Sequence, residues 1–260
     1  MRVEAKNLRK VFETGSDRIV ALNDVSFEIE SGEFVSFIGP SGCGKSTLLE
    51  IAGGLTTPSG GLVELDGTPV DGPRLDVGVV FQQDSTMHWR TVIGNVTFGL
   101  EMRGVGRAER TERAMKIIDL VGLQGFEGNY PAQLSGGMRQ RVALARTLVM
   151  NPRLILMDEP FGALDEQMRL ILGDELLAIW SNTGATVLFV THSIDEAILL
   201  SDRVVAMTAR PGEVRATVEV ELTRPRDSGV IGTPGFAAIQ KELWSIIREE
   251  SLKQLRGPTV

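Results

Sequence analysis

The chain has 260 residues, of which 42% are hydrophobic and 23% charged, and it contains one cysteine. This composition is ordinary for a globular protein with one large domain, or two small ones sharing a core. A single cysteine excludes an internal disulfide and a cysteine-based metal cluster. The formal net charge of −7 argues against nucleic acid as the main partner, because a phosphate backbone calls for a basic face.

No stretch of the chain has the ~18 consecutive apolar residues that a membrane-spanning helix needs. The first residues, MRVEAKNLRK, also lack the apolar segment of a secretory signal. We therefore expect a cytoplasmic chain.

The segment before residue 39 is predicted to be β structure, because apolar and polar side chains alternate along most of it. The predicted strands cover residues 3–5, 19–22, 25–29 and 33–38, the last of them buried. Phe12 lies just before a predicted turn over residues 14–17. Phe12 is either a packing residue or a flat platform for a nucleotide base.

The sequence GPSGCGKST follows the buried strand and fits the phosphate-loop pattern G-x-x-x-x-G-K-[ST]. It comprises Gly39, Pro40, Ser41, Gly42, Cys43, Gly44, Lys45, Ser46 and Thr47. Its glycines let successive N–H groups turn toward phosphates, and the helix predicted to begin near Lys45 adds its positive dipole end. Lys45 is predicted to reach the β- and γ-phosphates, and the Ser46 hydroxyl to ligate Mg²⁺. The alternative, a plain glycine turn, is disfavoured by the strand–loop–helix context.

The middle of the chain changes from strands to helices. A strand is predicted over 61–67, and a second over 77–81 that ends on Gln82, a polar amide where open α/β sheets bind ligands. Helical spacing follows in residues 95–103, 107–121 and 136–150. We therefore predict a helical insertion over about residues 86–150.

The second half of the chain alternates strands with helices again. The predicted strands cover 153–158, 186–191, 203–207 and 214–222, and the predicted helices cover 165–182 and 194–200. This alternation implies an α/β fold with a mostly parallel sheet and right-handed crossovers.

After a main domain of residues 2–222, residues 223–260 are predicted to form a linker and a C-terminal amphipathic helix. Residues 223–235 are rich in Pro, Gly and Arg and are predicted to be a linker. A helix over about 236–250 follows, with Phe236, Ile239, Leu243, Ile246 and Ile247 on one stripe. This helix either packs on its own domain or makes a regulatory or dimer contact.

Two neighbouring carboxylates, Asp158 and Glu159, end a predicted core strand. Neighbours on a strand point opposite ways, so packing alone cannot satisfy both charges. One carboxylate facing the phosphate loop would hold Mg²⁺, and the other would polarise a water for attack on a γ-phosphate. The alternative is an ion pair at the strand end.

A second glycine-bearing helix start lies in LSGGMRQR, residues 134–141. Ser135 is a candidate N-cap, and the amides of Gly136 and Gly137 would be open to an anion. This site either caps its own helix or closes over a nucleotide held by another copy of the chain.

Together these motifs resemble those of the ATP-binding subunit of an ABC transporter, over residues 2–222. GPSGCGKST resembles the Walker A loop, LSGGMRQR the ABC signature, and LILMDEP the Walker B strand. Gln82 resembles the Q-loop glutamine, Asp165 the D-loop aspartate and His192 the switch histidine. Phe12 matches the adenine-stacking aromatic, where tyrosine is commoner.

The resemblance implies a P-loop NTPase of α/β class, with a mostly parallel core sheet, an N-terminal antiparallel β subdomain and a helical signature subdomain. It implies that two copies, as a homodimer, bind two ATP molecules with Mg²⁺. Each ATP would touch one copy's Walker A loop and the other's Ser135, Gly136 and Gly137, with Asp165 also in the nucleotide site. The resemblance makes Glu159 the catalytic carboxylate, assisted by His192 and Gln82. Ser46, Gln82 and Asp158 would hold Mg²⁺.

A finer resemblance is to the importer ATPases for nitrate, sulfonates and taurine. It rests on VTHSIDEA (190–197), ARPG (209–212) and RPRD (224–227). It implies separate membrane permease subunits, an extracellular or periplasmic solute-binding protein, and a peripheral location on the cytoplasmic face of the membrane. His88 departs from this group, which usually has proline before Trp89. We expect His88 and Trp89 at the permease contact, against the alternative of ordinary loop packing.

Two other functions compete with solute import. A non-transport ABC ATPase of DNA repair or ribosomes usually carries long coiled coils or two tandem ATPase units, and this chain has neither. A module that uses ATP only as a structural switch would be expected to lack Glu159 or His192. Both residues are present, which favours hydrolysis.

Overall fold

The computed structural model describes residues 1–15 and 17–256. Ser16, in the predicted turn, and residues 257–260, at the end of the predicted C-terminal segment 223–260, lie outside the described residues. The described part of the chain forms an antiparallel sheet, a mostly parallel sheet and seven α-helices.

The antiparallel sheet is built from the N-terminal part of the chain, in the strand order β2-β1-β4-β5. Its strands are β1 (Val3–Thr14), β2 (Asp17–Ile29), β4 (Gly60–Leu65) and β5 (Thr68–Pro69). The sequence predicts short separate strands within β1 and β2, but each of these is one long strand. Shifts in the register between β1 and β2 interrupt the alternation of side chains, which explains the difference.

The second sheet has the strand order β10-β9-β3-β8-β7-β6. Its strands are β3 (Phe34–Ile38), β6 (Val77–Val80), β7 (Leu154–Asp158), β8 (Thr186–Val190), β9 (Arg203–Met207) and β10 (Val214–Glu219). Every pairing is parallel except that of the edge strand β10 with β9. Strands β3, β7 and β8 are buried throughout, as expected for parallel strands covered on both faces.

Helices cover both faces of the parallel sheet. They are α1 (Lys45–Ala52), α2 (Val92–Met102), α3 (Arg107–Leu120), α4 (Gly136–Leu148), α5 (Glu166–Thr183), α6 (Ile194–Leu200) and α7 (Pro234–Arg256). Helices α2 to α4 follow one another between β6 and β7 and share a buried core with α5. The predicted fold class, with its parallel core sheet, antiparallel β subdomain and helical subdomain, is confirmed.

The C-terminal segment lies against the domain. Phe236 and Leu243 of α7 are buried in a cluster with Ile198 of α6 and Val204 of β9. In the segment predicted to be a linker, the guanidinium of Arg226 donates to the carbonyls of Leu199, Ser201 and Leu222. Residues 223–235 are therefore fastened to the fold, and the packing of α7 is that of a helix on its own domain.

Candidate nucleotide site

The candidate site lies at the carboxyl end of the parallel sheet. Phe37 of β3 and Asp158 of β7 both pair with Val190 of β8, and Val80 of β6 pairs with Met157. Because the strands are parallel and in this register, the segments that follow them emerge side by side. This brings the phosphate loop, Gln82, Glu159 and His192 together.

The phosphate loop takes the conformation that its glycines permit. Gly42 and Gly44 have positive φ angles of 74° and 99°, which glycine adopts without steric cost. A Cβ on Gly44 would also lie 2.6 Å from Cδ2 of Leu22, so the loop needs glycine there for space as well. Helix α1 begins at Lys45, and the buried Lys45 Nζ donates to the carbonyls of Gly39 (2.9 Å) and Pro40 (3.1 Å). The ammonium therefore lies inside the curve of the loop.

Asp158 has the environment of a cation ligand. Burial raises the pKa of this carboxyl, and a hydrogen bond with Ser46 acts in the opposite direction. Asp158 Oδ1 is buried and has no hydrogen-bond partner among the described residues. A buried, unpaired carboxylate oxygen beside a serine hydroxyl offers the oxygen ligands that Mg²⁺ prefers. The residues present therefore fit the predicted ion, although residues 1–15 and 17–256 hold no cluster of three or more His, Cys, Asp and Glu side chains suited to a metal.

Glu159 is held from two sides. Gln82 Nε2 donates to Glu159 Oε2 at 3.0 Å, and His192 Nε2 lies 2.6 Å from Glu159 Oε1. The backbone of Glu159 has a positive φ of 47°, unusual for a residue other than glycine, and its N–H donates to Val190 O. Strained backbone of this kind clusters at functional sites. The turn after β7 thus places the Glu159 side chain between Gln82, which follows β6, and His192, which follows β8.

These residues line a cleft of about 440 Å³. Phe12 lies in its wall with 39% of its surface exposed, and Lys10 Nζ lies 5.0 Å from the centre of its ring. The predicted site residues in the lining are Phe12, Ser41, Gly42, Gly44, Lys45, Ser46, Thr47, Gln82, Glu159 and His192. Cys43 contributes a fully buried thiol behind the loop.

The signature residues and Asp165 lie elsewhere in the described part of the chain, outside the lining of this cleft. Ser135 caps α4 by accepting a hydrogen bond from Met138 N at 3.2 Å, and Gly136 begins the helix. Asp165 caps α5 in the same way, accepting from Met168 N at 2.9 Å. One copy of the chain therefore does not bring its own signature to its own phosphate loop.

Helix α4 holds the segment that follows β6. Arg139 pairs with Asp84 at 2.8 Å, the buried Gln140 donates to Phe81 O at 3.1 Å, and Arg146 donates to Ser85 O at 2.7 Å. Our sequence reasoning assigned no role to these side chains. Arg139 and Gln140 belong to the signature motif LSGGMRQR, so the sequence singles them out. Their partners lie more than fifty positions away along the chain, so the sequence does not predict these contacts.

A second network holds the His192 loop. The side chain of Glu196 in α6 is only 11% exposed, and it accepts a hydrogen bond from the hydroxyl of Thr191, the residue before His192. Arg169 of α5 lies 3.1 Å from Glu196 Oε1 and donates to Leu164 O, beside Asp165. The Glu196 carboxylate therefore links the loop before α5 to the loop that carries the histidine, a connection that the sequence did not predict.

Comparison with known proteins places the chain in a family. A family model described as ABC transporter matches residues 22–162. An uncharacterized ABC transporter ATP-binding protein of Methanocaldococcus jannaschii is 53% identical over 256 residues, covering 98% of this chain and 95% of that protein. The chain belongs to the ABC transporter family, as the motifs indicate, and it is an ATP-binding, ATP-hydrolysing cassette.

Relatives named for a solute and solved structures agree with this class. Proteins named taurine import ATP-binding protein TauB are 49% identical over 194 residues in Yersinia pestis, covering 75% of this chain and 76% of that protein. In Rhizobium johnstonii the identity is 46% over 242 residues, covering 91% and 92%. The dimeric structure of the ATP-binding cassette MJ0796 in a post-hydrolysis state, bound to ADP and Pi, matches with a TM-score of 0.77 and 35% identity. It covers 85% of this chain and 100% of that one.

None of the described helices is both long and apolar enough to cross a membrane.

Proposed function

We propose that the chain powers the uptake of a small anionic or zwitterionic solute, such as nitrate, a sulfonate or taurine, through separate membrane permease subunits. The relatives named for taurine import support the solute class. In this proposal a solute-binding protein delivers the solute on the outer side, and the ATPase works on the cytoplasmic face of the membrane.

The observation that carries the proposal is the position of Glu159 between Gln82 and His192, beside the phosphate loop. We assign Glu159 as the general base. The water oxygen bonds to the γ-phosphorus, the bond from that phosphorus to the β-phosphate oxygen breaks, and Glu159 takes the water proton. His192 positions the carboxylate, and Gln82 links it to the segment after β6.

The phosphate loop supplies electrostatic stabilisation. Lys45 and the inward amides of the loop would bind the β- and γ-phosphates, and the Phe12 ring would support the adenine. Ser46, Asp158 and Gln82 would hold Mg²⁺, which when bound neutralises charge that develops on the phosphate oxygens.

We further propose that the complete site needs two copies. Ser135, Gly136, Gly137 and Asp165 lie outside the cleft of their own copy. In a head-to-tail dimer they would close over the triphosphate of the other copy with a helix start whose amides suit an anion. The dimeric structure of the related cassette MJ0796 supports a dimer of this chain.

The permease contact is proposed to include His88 and Trp89. Both side chains are exposed, Trp89 by 76%, and they follow the segment that begins with Gln82. An exposed tryptophan next to the segment that contacts Glu159 is suited to transmit closure of the nucleotide site to a partner.

The function is tested by solute uptake in the native host after deletion of the gene for this chain. We expect the deletion to abolish uptake of labelled taurine, an alkanesulfonate or nitrate, and the wild-type gene to restore it. The variant Glu159→Gln should not restore uptake, because its water lacks a base. Normal uptake of all three solutes in the deletion strain would contradict the proposed solute class.

The variant Trp89→Ala separates coupling from hydrolysis. We expect the purified variant to hydrolyse ATP at the wild-type rate, because Trp89 lies outside the cleft lining, yet to restore little uptake. Met102→Ala, which truncates another exposed apolar side chain, is the matched control and should restore uptake fully. Full uptake with Trp89→Ala would remove this residue from the permease contact.

A further inference from the structure

The loop between β9 and β10, residues 208–213, lies directly on the phosphate loop. Gly212 N donates to Ala21 O at 2.9 Å, and Asn23 N donates to Gly212 O at 3.0 Å. A Cβ on Gly212 would lie 1.9 Å from the carbonyl oxygen of Cys43, so only glycine fits there. This close approach fixes the position of the β9–β10 loop (residues 208–213) against the phosphate loop.

The β9–β10 loop is also bonded internally. Thr208 Oγ1 donates to Pro211 O at 2.9 Å and accepts from Glu213 N at 3.0 Å. Glu213 in turn accepts from Asn23 Nδ2 at 2.7 Å. The residue at the tip, Arg210, is therefore presented from a loop with a defined shape.

Arg210 is the basic side chain that this loop adds to the nucleotide cleft. Its Nε donates to Gly42 O at 3.2 Å, and one of its terminal nitrogens would lie 3.2 Å from a Cβ on Gly42. The side chain lines the cleft together with Ser41, Lys45 and Phe12. A guanidinium has five N–H donors, and the bond to Gly42 uses one of them.

Helix α7 supports the arrangement from behind. Gln254 Nε2 donates to Ser41 O at 3.1 Å, and the buried carboxylate of Glu250 accepts from Ala209 N at 3.2 Å. The carbonyls of two consecutive phosphate-loop residues, Ser41 and Gly42, thus each accept a hydrogen bond from a side chain distant in sequence. These two hydrogen bonds help to fix the orientation of the peptide groups in the loop.

We propose that Arg210 is a further nucleotide-binding residue, which donates charge-assisted hydrogen bonds to phosphate oxygens of ATP and ADP. The proposal rests on the nucleotide site proposed above. Arginine suits this role because its planar fork matches phosphate oxygens and because it stays protonated. Lys45 lies inside the loop, and Arg210 supplies a second positive charge at its rim near Gly42.

The test measures nucleotide affinity in four variants, with ATP, ADP and adenosine each displacing a fluorescent ATP analogue. Arg210→Gln removes the charge and should weaken ATP and ADP about tenfold while leaving adenosine unchanged. Arg210→Lys keeps a charge and should lose less. Arg107→Gln is the matched control: it makes the same change of charge at an exposed position of α3, and Arg107 is not among the residues that line the cleft, so affinities should match the wild type.

Two outcomes overturn the proposal: ADP affinity of Arg210→Gln within twofold of wild type, or an equal loss for adenosine. Melting curves without nucleotide, together with Arg210→Lys, separate a binding effect from a folding defect. The variant Lys45→Ala shows whether only the proposed role of Arg210 is wrong or the proposed nucleotide site as a whole is wrong. If Lys45→Ala loses ADP binding and Arg210→Gln does not, only the role of Arg210 is wrong; if Lys45→Ala binds ADP normally, the site itself is misplaced.

Discussion

At the scale of single residues, the position of the Asp158 carboxylate lowers the stability of the fold. Asp158 is buried at the end of β7, with Glu159 next to it. Burial raises the pKa of Asp158, and the neighbouring Glu159 carboxylate adds to that rise. A charged carboxylate at this buried position destabilises the fold at neutral pH unless a cation binds to it. A carboxylate that ligates Mg²⁺ must carry this charge.

Asp158→Asn should therefore stabilise the protein in the absence of nucleotide and magnesium. A raised folded-state pKa means that stability from this group is complete below the unfolded pKa and is lost as pH rises through the folded value. The melting temperature gained by Asp158→Asn should thus be largest near neutral pH and vanish near pH ~4. Thermal unfolding across that range measures it, while ATP hydrolysis should be lost.

Asp119→Asn, at an exposed position of α3, is the control and should leave the melting temperature unchanged. If Asp158→Asn lowers the melting temperature at neutral pH, the charged carboxylate stabilises the fold without a bound cation, and the account of Asp158 is wrong.

At the scale of elements, the C-terminal segment departs furthest from what sequence suggests. Composition makes residues 223–235 resemble a linker, yet Arg226 is buried and satisfies carbonyls at the end of α6 and after β10. Burial lowers the pKa of Arg226 to about 10, so the guanidinium stays charged at neutral pH. The cation–π contact of Arg224 with Trp180, at 4.2 Å from the ring, fastens the same segment.

Arg226→Ala should destabilise the protein by roughly 2–4 kcal/mol, because it leaves buried carbonyl groups without their charged donor. Urea unfolding would measure this. Arg113→Ala, which removes an exposed pair with Glu109 on α3, should leave the unfolding midpoint nearly unchanged. Equal unfolding midpoints for the wild type and Arg226→Ala would mean that residues 223–235 act as a linker that adds no stability to the fold.

The sequence predicts the local parts of the site and misses the contacts between distant segments. The phosphate loop is predictable because one continuous stretch supplies its amides, Lys45 and Ser46. Asp158, Glu159 and His192 are predictable as polar residues at strand ends, because Asp158 ends β7, Glu159 follows it and His192 comes shortly after β8. The order β10-β9-β3-β8-β7-β6 has no local signal, so contacts that depend on it, such as Arg210 with Gly42, could not be foreseen.

At the scale of the whole molecule, the predicted site residues of one copy do not all lie at one cleft. Residues of the phosphate loop and Glu159 line one cleft, while Ser135 and Asp165 cap helices outside it. One copy of the chain therefore brings only part of its predicted site residues to this cleft. Two copies arranged head to tail would complete both sites at once, and ATP would serve as part of the contact between them.

The molar mass of Glu159→Gln, measured by light scattering with ATP and Mg²⁺, shows whether two copies share the nucleotide site. We predict twice the monomer mass for this variant, since it binds ATP without hydrolysing it, and the monomer mass when Ser135→Ala is added. Thr91→Ala, which removes the N-cap of α2, controls for the loss of a helix cap and should leave the dimer intact. A monomer in Glu159→Gln, or a dimer that survives Ser135→Ala unchanged, would contradict the shared site.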